Sequence, residues 1–248
     1  ELVLSALANE PTLLTGTLAT RDSSLMIDAL RALGTQIDVN TDGSVLVTPK
    51  PFDRSATIDC GLAGTVMRFV PPVSVLANGE IKFDGDEGAR RRPMHTTIDS
   101  LRALGVEVSA ALPFTVHGTG KVAGGEVTID ASASSQFVSG LLLAAARYEN
   151  GLTVRHQGEH LPSMPHIEMT LDCLAKRGVK VSSPEPAVWL VEPGEISGGK
   201  VAIEPDLSNA GPFLAAAMVA GGSVFVSGWP DSTTQVGDEF DGILQQMG

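Results

Sequence analysis

Apolar and polar positions recur along this chain in two rhythms, one typical of amphipathic helices and one of short strands. Residues 27–39 (IDALRALGTQIDV) return almost unchanged 71 residues later at 98–110 (IDSLRALGVEVSA), and again at 171–183 (LDCLAKRGVKVSS). Apolar residues spaced by three or four predict an amphipathic helix, which a glycine ends before a short strand. Residues 240–248 begin the pattern a fourth time. The glycines predicted to end the four helices are Gly34, Gly105, Gly178 and Gly248.

A second, more apolar helix recurs out of phase with the first. Its three copies begin at Ile58, Ile129 and Ile203, each as a short strand followed by an acidic residue, a Gly- or Ser-rich loop and an apolar helix. The segments NGEIKF, NGLTV and GGSVFV after these helices are expected to be further strands. A unit of about 71 residues is larger than most solenoid repeats. We therefore expect three α/β units around a shared core, with the apolar helices inside.

Composition fits a packed α/β protein and limits its partners. Of 248 residues, 43% are hydrophobic and 4% aromatic, and the formal net charge is −12. Such a field repels nucleic acid and anionic membranes, so neither is expected as a partner and an anionic ligand needs a local cationic site. Two cysteines, Cys60 and Cys173, do not make a disulfide framework. Without an apolar run of ~18 residues or a visible signal peptide, the chain is expected to be cytoplasmic.

The loops before the apolar helices are the first candidate sites. A helix N-terminus offers free N–H groups and about half a positive charge, which together bind phosphate or carboxylate. The candidate loops are Gly61–Thr65, Ser134–Gln136 and Leu207–Asn209. Each residue set is also compatible with an ordinary N-cap, the common role of serine and threonine at a helix start. Three copies on one repeating fold favour the anion site, because symmetry can direct several helix ends at one cleft.

Three consecutive arginines form the second candidate. They lie in DGDEGARRRPM (84–94), before a helix expected to begin near Pro93, so that Arg92 would stand beside the first N–H groups of that helix. The alternative is a solvated loop in which neighbouring acids balance the arginines.

A third candidate is the stretch HQGEHLPSMPHIEM, which begins at His156. Ser163 within it is expected at another helix start, either as a cap or as an anion contact. His156 and His160 leave a metal site open, although prolines and a glycine interrupt any helix that would align them.

Five motifs together resemble one family. LAGTVMRF, RRRPM, SASSQFVSGLLLAA, LPSMPHIEMTL and IEPDLSNAGPFLAAA, in this order, are similar to those of the 5-enolpyruvylshikimate-3-phosphate synthases (3-phosphoshikimate 1-carboxyvinyltransferases). The resemblance implies an α/β fold, the inside-out α/β barrel of the enolpyruvyl transferases, built from repeated βαβαββ units. It implies transfer of the enolpyruvyl group of phosphoenolpyruvate to the 5-hydroxyl of shikimate 3-phosphate, with release of phosphate and without metal or organic cofactor.

The resemblance also implies ligand-binding residues. Those expected for shikimate 3-phosphate are Ser134, Ser135, Gln136 and Ser163. Those expected for phosphoenolpyruvate are Gly64, Thr65, Arg92 and Gln136. Two positions depart from the family pattern: Leu62 replaces an asparagine, and His166 replaces a common tyrosine.

The resemblance further predicts where the chain lies in a longer enzyme. Residues 1–203 would form the first domain without its first loop, and residues 204–248 would begin the second. The catalytic acid–base residues would precede Glu1 and follow Gly248, so none is expected within the chain, which would bind substrate without turning it over. The full-length enzyme is expected to be a monomer.

Two other functions stay open. The related UDP-N-acetylglucosamine enolpyruvyl transferases carry a reactive cysteine in the loop corresponding to Asp84–Arg92, where this chain has none. A domain that kept the repeat and lost the chemistry would be a non-catalytic anion-binding module.

Overall fold

Three mixed sheets of four strands organise the structure, a computed structural model that describes residues 1–247. The first unit contains α1 (Leu2–Ala6), β1 (Thr12–Thr15), α2 (Arg21–Leu33), β2 (Gln36–Val39) and β3 (Val45–Thr48). The second contains β4 (Ala56–Asp59), α3 (Gly64–Ser74), β5 (Asn78–Asp84), α4 (Glu87–Arg90), α5 (His95–Ala103), β6 (Glu107–Val108) and β7 (Phe114–Thr119). The third contains β8 (Gly125–Ile129), α6 (Gln136–Ala145), β9 (Leu152–His156), α7 (Met164–Lys176), β10 (Val181–Glu185) and β11 (Val188–Val191). The chain then continues through β12 (Gly199–Ala202), α8 (Leu207–Ala220), a 3-10 helix (Val236–Glu239) and α9 (Phe240–Met247).

All three sheets have the same strand order. In the second sheet β4 is parallel to β5, which is antiparallel to β7, and β6 lies at the far edge. The third sheet repeats this order as β8-β9-β11-β10. The first sheet completes it with β12, which pairs in parallel with β1 from Thr12–Gly199 to Thr15–Ala202. The prediction of three βαβαββ units is confirmed, and β12 joins the end of the third unit to the first.

The apolar helices of the second and third units lie inside the molecule, as expected. All residues of α6 from Phe137 to Ala145 are buried, as is most of α3. The two helices approach closely because Gly140 faces the Arg68 carbonyl, where a Cβ atom would overlap that oxygen. Removal of these side chains from water is the main stabilising contribution to such a core.

The amphipathic helices α2, α5 and α7 bury one face and end as predicted. The glycines after them, Gly34, Gly105 and Gly178, have φ angles of 129°, 82° and 81°. Such positive values strongly favour glycine because it has no Cβ. The prediction for Gly248 lies outside the described residues.

Two predictions about the last copy of the repeat were wrong. The segment GGSVFV (221–226), expected to be a strand, pairs with no strand in the described part of the chain, whereas β12, the strand equivalent to its expected neighbour, pairs with β1. The apolar helix α8 is exposed on much of its surface, with Phe213 65% and Val219 88% accessible.

Within residues 1–247, no helix combines the length and apolar character required to cross a membrane.

Candidate functional site

Side chains from two helices and one loop converge on Gly64, the first residue of α3. A Cβ atom built there would lie 3.0 Å from Arg68 Nη1, 3.0 Å from Arg92 Nη2 and 3.1 Å from Gln136 Oε1. The structure therefore brings Gly64, Arg92 and Gln136 together, three of the residues expected to bind phosphoenolpyruvate. Because position 64 has no side chain, the space between these polar groups stays open.

Arg68, which sequence reasoning missed, is the most buried member of this cluster. Its side chain extends from the second turn of α3, is 5% exposed as a residue, and donates from Nη1 to Gln136 Oε1 (2.7 Å). The guanidinium carbon lies 5.0 Å from the centre of the Phe137 ring, and Nε has no hydrogen-bond partner among residues 1–247. Burial and the nearby charge of Arg92 lower the pKa of Arg68 to about 10, so the group stays charged at neutral pH.

Arg92 differs from the two arginines before it. Arg90 forms a two-bond ion pair with Asp84, and Arg91 pairs with Glu87 at 2.8 Å. The solvated, charge-balanced loop is therefore correct for Arg90 and Arg91. Arg92 instead donates to the carbonyl of Leu62 (2.8 Å) and pairs with no carboxylate in the described chain.

The helix after this loop begins later than predicted. Met94 occupies the N-cap position of α5 without a side-chain capping bond, and the first residue of the helix is His95, so Pro93 lies before the helix and not in its first turn. A proline disfavours helical backbone at the residue before it, which holds Arg92 outside α5. Arg92 reaches the start of α3 from a loop, and the predicted contact with the N–H groups of its own helix was wrong.

The loop from Ala131 to Ser135 leads directly into α6. Ser134 Oγ accepts the N–H of Gln136 (3.3 Å), so Ser134 has the capping role that was its alternative interpretation. Ser135 is the N-cap residue, makes no side-chain capping bond and is 4% exposed. Gln136, a member of the cluster at Gly64, directly follows both serines in the chain.

Ser163 is the N-cap residue of α7, as predicted. Its backbone has φ 57° and ψ 57°, a left-handed conformation rarely adopted outside glycine. Its Oγ forms a hydrogen bond with His166 Nδ1 (2.8 Å). The histidine that replaces the tyrosine common in the family therefore contacts Ser163, a residue expected to bind the phosphate. A bond from Thr170 to Ser139 (2.9 Å) joins α7 to the first turn of α6.

Two predicted positions lie outside this cluster. Thr65 lines a separate cavity of about 310 Å³ between α1, α2 and α3. At the third predicted loop, Asp206 caps α8 by accepting from the N–H and the side-chain amide of Asn209 (3.0 and 2.9 Å). A carboxylate therefore occupies that helix start, which makes it a poor anion site.

Neither cysteine chemistry nor metal ligation finds support in the geometry. Burial raises the pKa of Cys60 to about 12, so its thiol remains protonated near neutral pH. Within residues 1–247, no three His, Cys, Asp or Glu side chains are grouped so as to hold a metal ion, and the open reading of His156 and His160 as ligands is not supported.

Three βαβαββ units around buried helices, with an arginine cluster at the start of one inner helix, define the class of the protein as the enolpyruvyl transferase fold. Comparison with known sequences then identifies the family. The chain belongs to the EPSP synthase (3-phosphoshikimate 1-carboxyvinyltransferase) family, whose model matches residues 1–248.

Individual relatives agree in fold and differ in length. A 3-phosphoshikimate 1-carboxyvinyltransferase of Kocuria rhizophila is 51% identical over 261 aligned positions, which cover 100% of this chain and 59% of the relative. Two structures of EPSP synthase from Acinetobacter baumannii match with a TM-score of 0.79 at 23% identity, covering 100% of this chain and 56% of theirs. The chain therefore spans somewhat more than half the length of these relatives.

Proposed function

We propose that this chain is the substrate-binding part of an enzyme that transfers the enolpyruvyl group of phosphoenolpyruvate to the 5-hydroxyl of shikimate 3-phosphate. The observation that carries the proposal is the convergence of Arg68, Arg92 and Gln136 on the open position at Gly64. Family membership supplies the reaction.

The two substrates would occupy neighbouring parts of this site. Phosphoenolpyruvate carries a carboxylate and a phosphate, and Arg92 and Arg68 offer two positive charges that no carboxylate within residues 1–247 neutralises. The 3-phosphate of shikimate 3-phosphate would bind at the start of α6 to Ser134 and Ser135, with Ser163 contributing from α7. The roles of Thr65 and Ser163 rest on the family resemblance alone.

Gln136 would lie between the substrates. Arg68 donates to its Oε1 (2.7 Å), so the amide oxygen is engaged and the amide nitrogen is the end that can donate to a ligand.

The chemistry requires attack of the 5-hydroxyl on C2 of phosphoenolpyruvate, protonation of its methylene carbon, and then loss of phosphate and of one proton. Arg68 and Arg92 would stabilise the charge that develops on the departing phosphate. We propose that the acid–base groups lie in the part of the relatives' sequences that this chain does not span. The 248 residues alone would then bind substrate without turnover.

We further propose that residues 1–203 form one domain and residues 204–248 begin a second. The pairing of β12 with β1 and the exposed apolar residues of α8 support this division. The intact enzyme would be a cytoplasmic monomer without nucleic-acid or membrane partners, in keeping with the net charge of −12.

Calorimetry on this chain tests the proposal. Shikimate 3-phosphate is expected to bind, and Ser135→Ala to weaken binding by about tenfold, the usual effect of losing a hydrogen bond to a charged group. Phosphoenolpyruvate is then titrated into the saturated protein, where Arg92→Ala should weaken binding at least tenfold. Arg91→Ala is the matched control, because Arg91 already pairs with Glu87.

The same titrations separate the alternatives. Folded protein that gives no heat with shikimate 3-phosphate would contradict binding by this chain, and equal effects of the two arginine changes would remove Arg92 from the site. Binding of UDP-N-acetylglucosamine instead would favour the related transferase. Binding without turnover in the full-length polypeptide would favour the non-catalytic module.

A further inference from the structure

A histidine side chain attaches the loop that carries Ser134 and Ser135 to the sheet. β8 ends at Ile129, and the N–H of Ala131 donates to Nδ1 of His156 (3.1 Å), the last residue of β9. Ala131 is fully buried, and its carbonyl accepts the N–H of Ser134 (3.0 Å). The imidazole, the loop and the start of α6 therefore form one hydrogen-bonded chain.

The second unit uses a backbone acceptor at the corresponding strand end. The N–H of Cys60, 71 residues before Ala131, donates to the carbonyl of Asp84 (2.7 Å). In the copy that begins with β12, the residue equivalent to Ala131 is Pro205, which has no N–H to donate. A carbonyl accepts at every pH, whereas an imidazole nitrogen stops accepting when it is protonated. The unit with the predicted phosphate loop therefore makes through a titratable group the contact that the second unit makes through a carbonyl.

The imidazole ring is closely packed. A Cβ atom at Gly158 would lie 2.6 Å from His156 Cε1 and 2.6 Å from Asp130 Oδ1, so the chain after β9 covers the ring. Nε2 is buried without a hydrogen-bond partner among residues 1–247. Because Nδ1 accepts, the neutral ring carries its proton on Nε2. Asp130 after β8 is the charged group near the ring and also lies near His160, and the preceding residue Arg155 pairs with Glu126 and Glu185.

We propose that His156 is a positioning residue for the phosphate-binding loop, and that anion binding at Ser134 and Ser135 requires the neutral form of this histidine. The inference rests on the proposed function of the same loop. Protonation would place Nδ1–H against the N–H of Ala131, which breaks the contact and releases the loop from β9. Affinity for the phosphate is therefore lost when the ring of His156 is protonated.

Two substitutions separate the acceptor from its titration. His156→Asn retains a side-chain oxygen close to the position of Nδ1 but cannot titrate, and His156→Leu removes the acceptor. Binding of shikimate 3-phosphate is measured by calorimetry from pH 5.5 to 8.0. The ligand phosphate itself titrates near pH 6, equally for every variant, so the comparison is between profiles. His117→Asn, on β7 beside Glu80, is the control and should follow the wild-type profile.

The expected result is a wild-type affinity that falls about tenfold more than that of His156→Asn between pH 7.5 and 5.5, the usual effect of losing one hydrogen bond. His156→Leu should bind about tenfold more weakly than wild type at pH 7.5. Parallel wild-type and His156→Asn profiles would overturn the proposal.

A measurement without ligand tests the role of His156 independently of the proposed function. The amide signal of Ala131 in nitrogen-15 NMR should shift with the titration of the His156 ring in wild type and stay constant in His156→Asn. If shikimate 3-phosphate binds at no pH, the proposed function fails and the amide titration alone decides whether His156 holds the loop. An Ala131 amide signal that stays constant while the His156 ring is protonated would overturn the positioning role.

Discussion

Because Gly64 has no side chain, the space between three polar groups stays open. These groups surround the position that a Cβ atom would occupy. We predict that Gly64→Ala weakens phosphoenolpyruvate binding by about tenfold while leaving shikimate 3-phosphate binding almost unchanged. The added methyl would lie 3.0 Å from nitrogens of Arg68 and Arg92, and long side chains can yield only by moving their donors away from the ligand. The measurement is the KM for each substrate in the full-length enzyme. Gly242→Ala, which meets no atom within 4 Å, is the control, and an unchanged KM for phosphoenolpyruvate would contradict the prediction.

The same cluster shows what one sequence reveals about single residues. Family motifs pointed to Gly64, Arg92 and Gln136, but nothing local indicated that Arg68 reaches Gln136, because the two are 68 positions apart on different helices. The available signal was the arginine itself, a charge within the otherwise apolar helix LAGTVMRFV. Burial of a guanidinium is costly without a compensating partner. A buried arginine in such a helix therefore deserves a place among candidate ligands.

At the scale of elements, the site depends on how closely α3 and α6 pack. Gly140 lies against the Arg68 carbonyl, and the buried Tyr148 hydroxyl donates to the Pro72 carbonyl (2.9 Å), which ties the end of α3 to the third unit. Proline at position 72 removes the N–H that would otherwise bond the Arg68 carbonyl within the helix. The backbones of α3 and α6 are therefore in direct contact at Gly140, without a side chain between them.

We predict that Gly140→Ala lowers the free energy of unfolding by about 1–3 kcal/mol, the usual effect of overpacking a core. The added Cβ would overlap a backbone oxygen, which cannot move aside as a side chain could. Separation of the helices should also break the bond between Arg68 and Gln136, so phosphoenolpyruvate binding should weaken in protein that remains folded. Urea unfolding and calorimetry test both effects, again against Gly242→Ala. A variant of unchanged stability would show that the helices can separate freely.

Elements with local signals were predicted well, and those that need a distant partner were not. The glycines after α2, α5 and α7 determine where these helices end, because a positive φ is a property of one residue. A strand has no such independence. The segment GGSVFV has the composition of a strand but pairs with nothing within residues 1–247. The segments NGEIKF and NGLTV contribute to β5 and β9, because each has a neighbouring strand, β4 or β8, with which to pair.

At the scale of the whole molecule, the three units depend on the contact between the last and the first. β12 pairs with β1, and beside this pair Arg177 is 2% exposed, donating to Ser5 Oγ (2.8 Å) and Thr12 Oγ1 (3.3 Å). In the first two units a leucine, Leu33 or Leu104, precedes the helix-ending glycine at this position. The repeat alone would assign Arg177 as an irregular surface residue, because its polar partners lie more than 160 positions away.

Replacing this arginine by the leucine of the other repeats tests whether the contact is structural. We predict that Arg177→Leu lowers the free energy of unfolding by about 2–4 kcal/mol, although leucine suits the repeat pattern. The change would leave two buried hydroxyls without their donor and Glu1 without the cation 3.4 Å away. Urea unfolding followed by fluorescence of the buried Trp189 provides the measurement.

Arg102→Leu is the matched control for that experiment. Arg102 also donates two hydrogen bonds to one carbonyl, that of Val108, but its side chain is 43% exposed, so water can replace the loss and the effect should stay below about 1.5 kcal/mol. Equal stability of Arg177→Leu and wild type would mean that apolar packing suffices to join the third unit to the first. A large loss confined to Arg177→Leu would instead show that a buried polar contact, which the repeat does not reveal, holds β12 against β1.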